Sequence, residues 1–202
     1  MSPLSIILAI PLIPFFLVAW LTQRSASKVV DKTSKIALQE VSEKVLRQYL
    51  DEHNLAKVEV DKSSDYSQNY YSVEDGKIYL SPDVMGAVDV CSVATALRAG
   101  AKALSEYKGE NPLSTIGKIR SAQTLVFWIA FGIVAVGVMA SSISISVCGY
   151  LFVIVAWGLG RYRHHVEKKI DQSALDFARS SKAIPENLFA EFEKATAALR
   201  NL

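Results

Sequence analysis

From Ser121 to Gly160 the chain carries no Asp, Glu, Lys or Arg. One membrane crossing needs roughly 20 mostly apolar residues, so this block of about 40 is long enough for two. Ser141-Ser142-Ile143-Ser144-Ile145-Ser146 lies near its middle and predicts the turn between them. A second uncharged block runs from Pro3 to Leu21. The two blocks together predict three transmembrane helices, at about residues 3–21, 122–140 and 146–160. A cleaved secretory signal would place basic residues ahead of a shorter apolar core. Here the charge follows the block, at Arg24, Lys28, Lys32 and Lys35, as expected of a retained anchor. A chain of 202 residues could hardly bury the second block as a soluble core.

Orientation follows from the tendency of Lys and Arg to stay on the cytoplasmic side of membrane spans. Basic residues follow the first block, precede the second at Lys118 and Arg120, and follow it at Arg161, Arg163, Lys168 and Lys169. All three spans then agree on one topology. The N-terminus and the Ser-rich turn face outside, and residues 22–120 and the C-terminus are cytoplasmic. The formal net charge of +2 is accounted for by this asymmetry and gives no support for nucleic-acid binding. Cys91 and Cys148 fall on opposite sides, so no disulfide is expected. Both read as small buried hydrophobes.

The polar segments carry their own patterns. Val30, Ile36, Val41, Val45, Tyr49 and Leu50 recur at roughly helical spacing, predicting an amphipathic helix over 30–52 with His53 as a cap or surface residue. Val58-Glu59-Val60 reads as a short strand. Tyr70-Tyr71-Ser72-Val73 and Ile78-Tyr79-Leu80, joined through Asp75-Gly76, read as a hairpin. Ser81-Pro82-Asp83 resembles a helix start. A central helix over about 90–107 comes next, with Val90, Val93, Ala94, Leu97, Ala101 and Leu104 on one stripe. Beyond the last span the helix should continue to about Ser180, stopping before Pro185. Leu188, Phe189, Phe192, Ala195 and Leu199 then mark an amphipathic tail helix that docks on the domain. The organisation is thus an anchor (1–22), a cytoplasmic domain (23–120), a transmembrane hairpin (121–160) and a helical tail (161–202).

This order of elements resembles the membrane-embedded neutral zinc metallopeptidase family. The likeness is carried by Asn54-Leu55-Ala56-Lys57-Val58-Glu59-Val60, by Gly76-Lys77-Ile78-Tyr79-Leu80-Ser81, and by the helix from Ser92 to Ala101, and it extends over most of residues 1–182. It implies an α+β membrane protein: three transmembrane helices, a small zincin-like cytoplasmic domain and a helical C-terminal tail. In that family the central helix carries H-E-x-x-H, two His ligands and a general-base Glu. Aligned on Gly100, these positions fall on Leu97, Arg98 and Ala101, and the third, acidic ligand falls on Lys169, two residues before a retained Asp171. A His-Tyr-Asp phrase before the hairpin turn stands here as Tyr70-Tyr71-Ser72. Leu and Ala have no lone pair for zinc, and Arg stays protonated.

The resemblance therefore implies a pseudo-peptidase without metal or other cofactor, acting as an accessory or scaffold subunit of a membrane complex. Its partners would be the lipid bilayer and other membrane proteins, as homo- or hetero-oligomer, in a bacterial or organellar inner membrane. Arg98 and Lys169 could supply the positive charge of the lost metal, with Asp171 as counter-ion; the plainer alternative leaves Arg98 and Lys102 as solvated surface residues. A competing reading is a peptidase that rebuilt its metal site at His164, Glu167 and Asp171, which share one helical face at i, i+3 and i+7. A third is an unrelated three-span binding protein. No G-x-S-x-G, P-loop, G-x-G-x-x-G or C-x-x-C occurs.

Overall fold

The computed structural model describes residues 12–65, 68–110 and 113–202, together with Ile7 and Ile10. Among these residues it is mostly helical, with one three-stranded sheet. The elements are α1 (Leu12–Thr33), α2 (Ser42–Glu52), β1 (Val60–Lys62), β2 (Tyr70–Ser72), β3 (Lys77–Leu80), α3 (Pro82–Met85), α4 (Val90–Lys108), α5 (Leu113–Met139), α6 (Ile143–Ser180) and α7 (Glu186–Arg200). They fall into two compact units. One holds residues 23–114 and 166–202, the other the described part of 1–22 with 115–165.

The first unit is built around α4. Its stripe of Val90, Val93, Ala94, Leu97, Ala101 and Leu104 is buried throughout, as the helical spacing requires of a face without charge. The Asp89 side chain accepts from the Ser92 backbone N–H at 2.9 Å and caps its start, and Gly109, at φ 66°, ends it in the left-handed region. Helix α2 packs against it with Leu46, Tyr49 and Leu50 fully buried. A Cβ on Gly100 would lie 2.7 Å from Leu46 Cδ1 and 2.9 Å from Tyr49 Cδ1, so glycine is what lets these two helices approach.

The sheet runs β1-β3-β2. β2 and β3 form the expected antiparallel hairpin in the register Tyr70↔Tyr79; Gly76 takes φ 67° in its turn, and Ser72 Oγ donates to Asp75 Oδ2 at 2.8 Å. β1 adds in parallel to β3, Val60 opposite Ile78, and lies two residues later than Val58 suggested. Ile78 and Leu80 alternate inward, fully buried.

The single helix expected over 30–52 is two. α1 ends at Thr33 and α2 begins at Ser42. Between them the backbone pairs with a distant segment: Leu38 N–H donates to Val88 O, Val90 N–H to Ile36 O at 3.0 Å, and Ala37 bridges Asp89. Tertiary pairing satisfies these groups where the spacing suggested a helical ladder. Ser81 precedes α3 with Pro82 in its first turn, but its hydroxyl makes no cap; its carbonyl accepts from Val84 and Met85 instead.

In the other unit α5 and the start of α6 form a close antiparallel hairpin. A Cβ on Gly137 would lie 2.6 Å from Ser146 N, and one on Gly149 would lie 2.8 Å from Val134 N. The hairpin glycines Gly137 and Gly149 thus serve packing within this chain. The turn is tighter than the six residues from Ser141 to Ser146, because α6 already starts at Ile143. Ser146 Oγ donates to Ser142 O at 3.1 Å, so this hydroxyl is satisfied by the backbone without breaking the helix. Cys148 is exposed on α6, contrary to expectation, whereas Cys91 is buried.

Among the described residues two helices, α5 and α6, are long and apolar enough to cross a membrane, not three. Only 22% and 17% of their apolar windows are buried, which distinguishes them from core helices of a soluble protein. Most of the first expected span, residues 3–11, lies outside the described residues apart from Ile7 and Ile10. The described α1 is free of charged residues only in its first half and runs on into Arg24, Lys28 and Asp31.

Candidate functional site

On α6, Ile170, Ala174, Phe177 and Ala178 are buried and make one face. Asp171 is three residues from Ala174 and seven from Ala178, so helical geometry turns it to the same side, where it is 2% exposed. A carboxylate taken out of water needs compensation. It comes from Arg98 on α4, whose Nε–H donates to Asp171 Oδ1 at 2.8 Å, with the arginine side chain 12% exposed.

A second guanidinium arrives from the last turn of α7. Arg200 Nε lies 3.2 Å from Asp171 Oδ2 with its side chain 9% exposed. The two groups pair as charges but are out of alignment for a hydrogen bond. Three helices thus converge on one carboxylate, two cations against one anion. The alternative in which Arg98 is a solvated surface residue is overturned by its burial against Asp171.

The remaining expected positions divide. Leu97 and Ala101 are buried in the α4 core. Lys169 is exposed and makes no ion pair among the described residues, so it does not join the Arg98–Asp171 pair. Among the described residues no three His, Cys, Asp or Glu side chains are placed to hold a metal ion. Tyr71 lies in β2, where burial and the nearby Glu106 carboxylate raise its hydroxyl above the usual tyrosine range.

Two participants escape sequence reasoning. Arg200 reads there as an ordinary basic residue complementing a helix C-terminus. Tyr49 reads as one more apolar position of α2. Its hydroxyl is 2.9 Å from Ser173 Oγ, which itself donates to Ile170 O at 2.9 Å, so α2 is tied to α6 two residues from Asp171. Burial pushes the Tyr49 hydroxyl up to about 12. His53 caps α2 and packs against Tyr49 with ring centroids 4.4 Å apart and the planes tilted by 30°.

No curated protein and no solved structure matches the chain. Residues 7–159 match the family described as "Putative neutral zinc metallopeptidase". The match covers well over half of the 202 residues and includes the whole of α4 with Leu97, Arg98 and Ala101, while Asp171 and α7 lie beyond its end. By that extent the chain belongs to the neutral zinc metallopeptidase family.

Proposed function

We propose that this is a non-catalytic member of its family, held in a membrane, in which a buried guanidinium–carboxylate cluster stands where the family's metal chemistry would be. The observation that carries the reading is the Arg98–Asp171 pair, with Arg200 on its far side. Zinc takes nitrogen, sulfur or carboxylate ligands, about three of them in a catalytic site. Leu97 and Ala101 offer none, Arg98 offers only donors, and the Asp171 carboxylate lies between two cations that would repel a metal ion. These residues do not fit zinc, and no catalytic step is derived through it.

The role left to such a chain is that of an accessory or scaffold subunit, presenting the α+β unit to other membrane proteins. The apolar, outward-facing surfaces of α5 and α6, with Leu125, Trp128, Ile154 and Trp157 more than half exposed, support contact with lipid. The basic residues after the apolar part of α6 support a cytoplasmic location for the C-terminal end of that helix and for α7. Metal analysis of the full chain purified in mild detergent tests the reading, with a peptidase assay on the same sample. Zinc well below one per chain and no cleavage are expected. Stoichiometric zinc that is lost in His164→Ala would overturn the proposal in favour of a rebuilt metal site. Co-purification under the same conditions tests the scaffold role, which predicts a stable complex with another membrane protein or a second copy.

A further inference from the structure

Beside the ion cluster, α4 and α6 leave a half-open cleft of about 330 Å³ in the first unit. Ala101, Leu104 and Ile170 form its apolar floor, and Lys108, Lys169 and Glu110 supply its charged walls. Ala101 and Lys169 are two of the positions that the resemblance assigns to metal ligands, contributed by different helices. The small side chain of Ala101 leaves room at this end of the cleft, and its walls carry the two ammonium groups of Lys108 and Lys169. Neither lysine makes an ion pair among the described residues, and Glu110 lies beyond pairing distance of both.

From this we infer that the cleft is a binding site for a phosphate group carried on a small or apolar substituent. Two separated point charges suit an anion with several oxygens. The volume is at the lower end for small-molecule sites, and the apolar floor takes the substituent. Ser173, which also lines the cleft, contributes no donor, because its proton goes to Ile170 O and its oxygen faces the Tyr49 hydroxyl. Recognition rests on Lys108 and Lys169, and Glu110 opposes it. The inference builds on the non-catalytic reading, since a zinc-loaded site would need the same space for its ligands.

The test uses the full chain in detergent, titrated with inorganic phosphate against chloride at equal ionic strength and followed by thermal unfolding, which a ligand of the native state shifts upward. Lys108→Gln and Lys169→Gln should each weaken the response by about 1.5- to fivefold, the range for an exposed charge pair, and Glu110→Gln should strengthen it. All three side chains are exposed, so the variants should fold, and circular dichroism confirms this. A second arm replaces phosphate with phosphatidylcholine vesicles with or without phosphatidic acid. A response confined to phosphatidic acid and lost in the lysine variants identifies a lipid headgroup as the source; a response to inorganic phosphate identifies a soluble one. No response in either arm, or equal responses of wild type and variants, overturns the inference. Zinc content of the same samples separates the two readings: no phosphate response without zinc removes only the cleft, whereas no phosphate response with stoichiometric zinc removes the non-catalytic reading as well.

Discussion

Removing the Asp171 carboxylate would leave the Arg98 and Arg200 guanidiniums facing each other with little water between them. Breaking a buried ion pair from one side costs about 3–5 kcal/mol, so Asp171→Ala should lower the stability of the full chain by that order in denaturant titration. Replacing all three residues by apolar ones of similar volume, as in the triple variant Arg98→Met, Asp171→Leu, Arg200→Met, should recover most of the loss, because it also removes the desolvation of the charges. Tyr49 makes a second prediction at this scale. Its hydroxyl titrates near 10 when exposed and at about 12 when folded, so the folded state holds the proton more tightly. The resulting stability is complete below pH 10 and is lost as pH rises through about 12, amounting to about 2–3 kcal/mol. Urea titrations at pH 9 and pH 11.5 should show this loss in the wild type beyond that of Tyr49→Phe; equal losses would refute the assignment.

The hairpin and the tail helix are each governed by a few contacts. In the hairpin, Gly149→Ala would drive a methyl group into the Val134 backbone, whereas a Cβ on Gly132 meets nothing within 4 Å. Overpacking costs typically about 1–3 kcal/mol. Gly149→Ala should therefore lower the unfolding temperature in detergent, and Gly132→Ala should leave it unchanged or slightly raised. Helix α7 is buried through Phe192, Ala195, Thr196 and Ala198. Its outer ties are weaker: the Lys32–Glu191 pair is solvent-exposed on the lysine side, which limits its worth, and Arg179 stacks over Phe189 at 4.7 Å. The segment leading into it is exposed at Ser181 and Lys182, with Lys182 at φ 56°. Arg200→Gln should speed amide exchange in α7 more than in α4 and increase proteolysis between residues 181 and 185; unchanged exchange in α7 would show that its apolar face alone holds it.

For the whole molecule, the charge asymmetry around α5 and α6 predicts that their connecting turn faces outside and the tail faces the cytoplasm. With Cys91 and Cys148 replaced by serine, a membrane-impermeant maleimide should label Ser142→Cys in intact cells and Lys182→Cys only after permeabilisation. The reverse pattern would invert the topology.

What the sequence determined by itself was set by local rules. Charge-free length marked α5 and α6, a 3.6-residue stripe marked α4, and Asp75-Gly76 marked the hairpin, since backbone hydrogen bonding and burial act there over a few residues. That Leu97, Arg98 and Ala101 offer no lone pair to a metal ion was legible in the same way, as a matter of side-chain type. Only the tertiary structure decided the rest. The break between α1 and α2 comes from pairing of Ile36 and Leu38 with a segment some fifty residues away, and a local period cannot register such a partner. The choice of Arg98 over Lys169 for Asp171, and the arrival of Arg200, depend on which faces of α4, α6 and α7 are pressed together. Burial turned an apparently solvated arginine into half of an ion pair, and that is a property of packing, not of spacing.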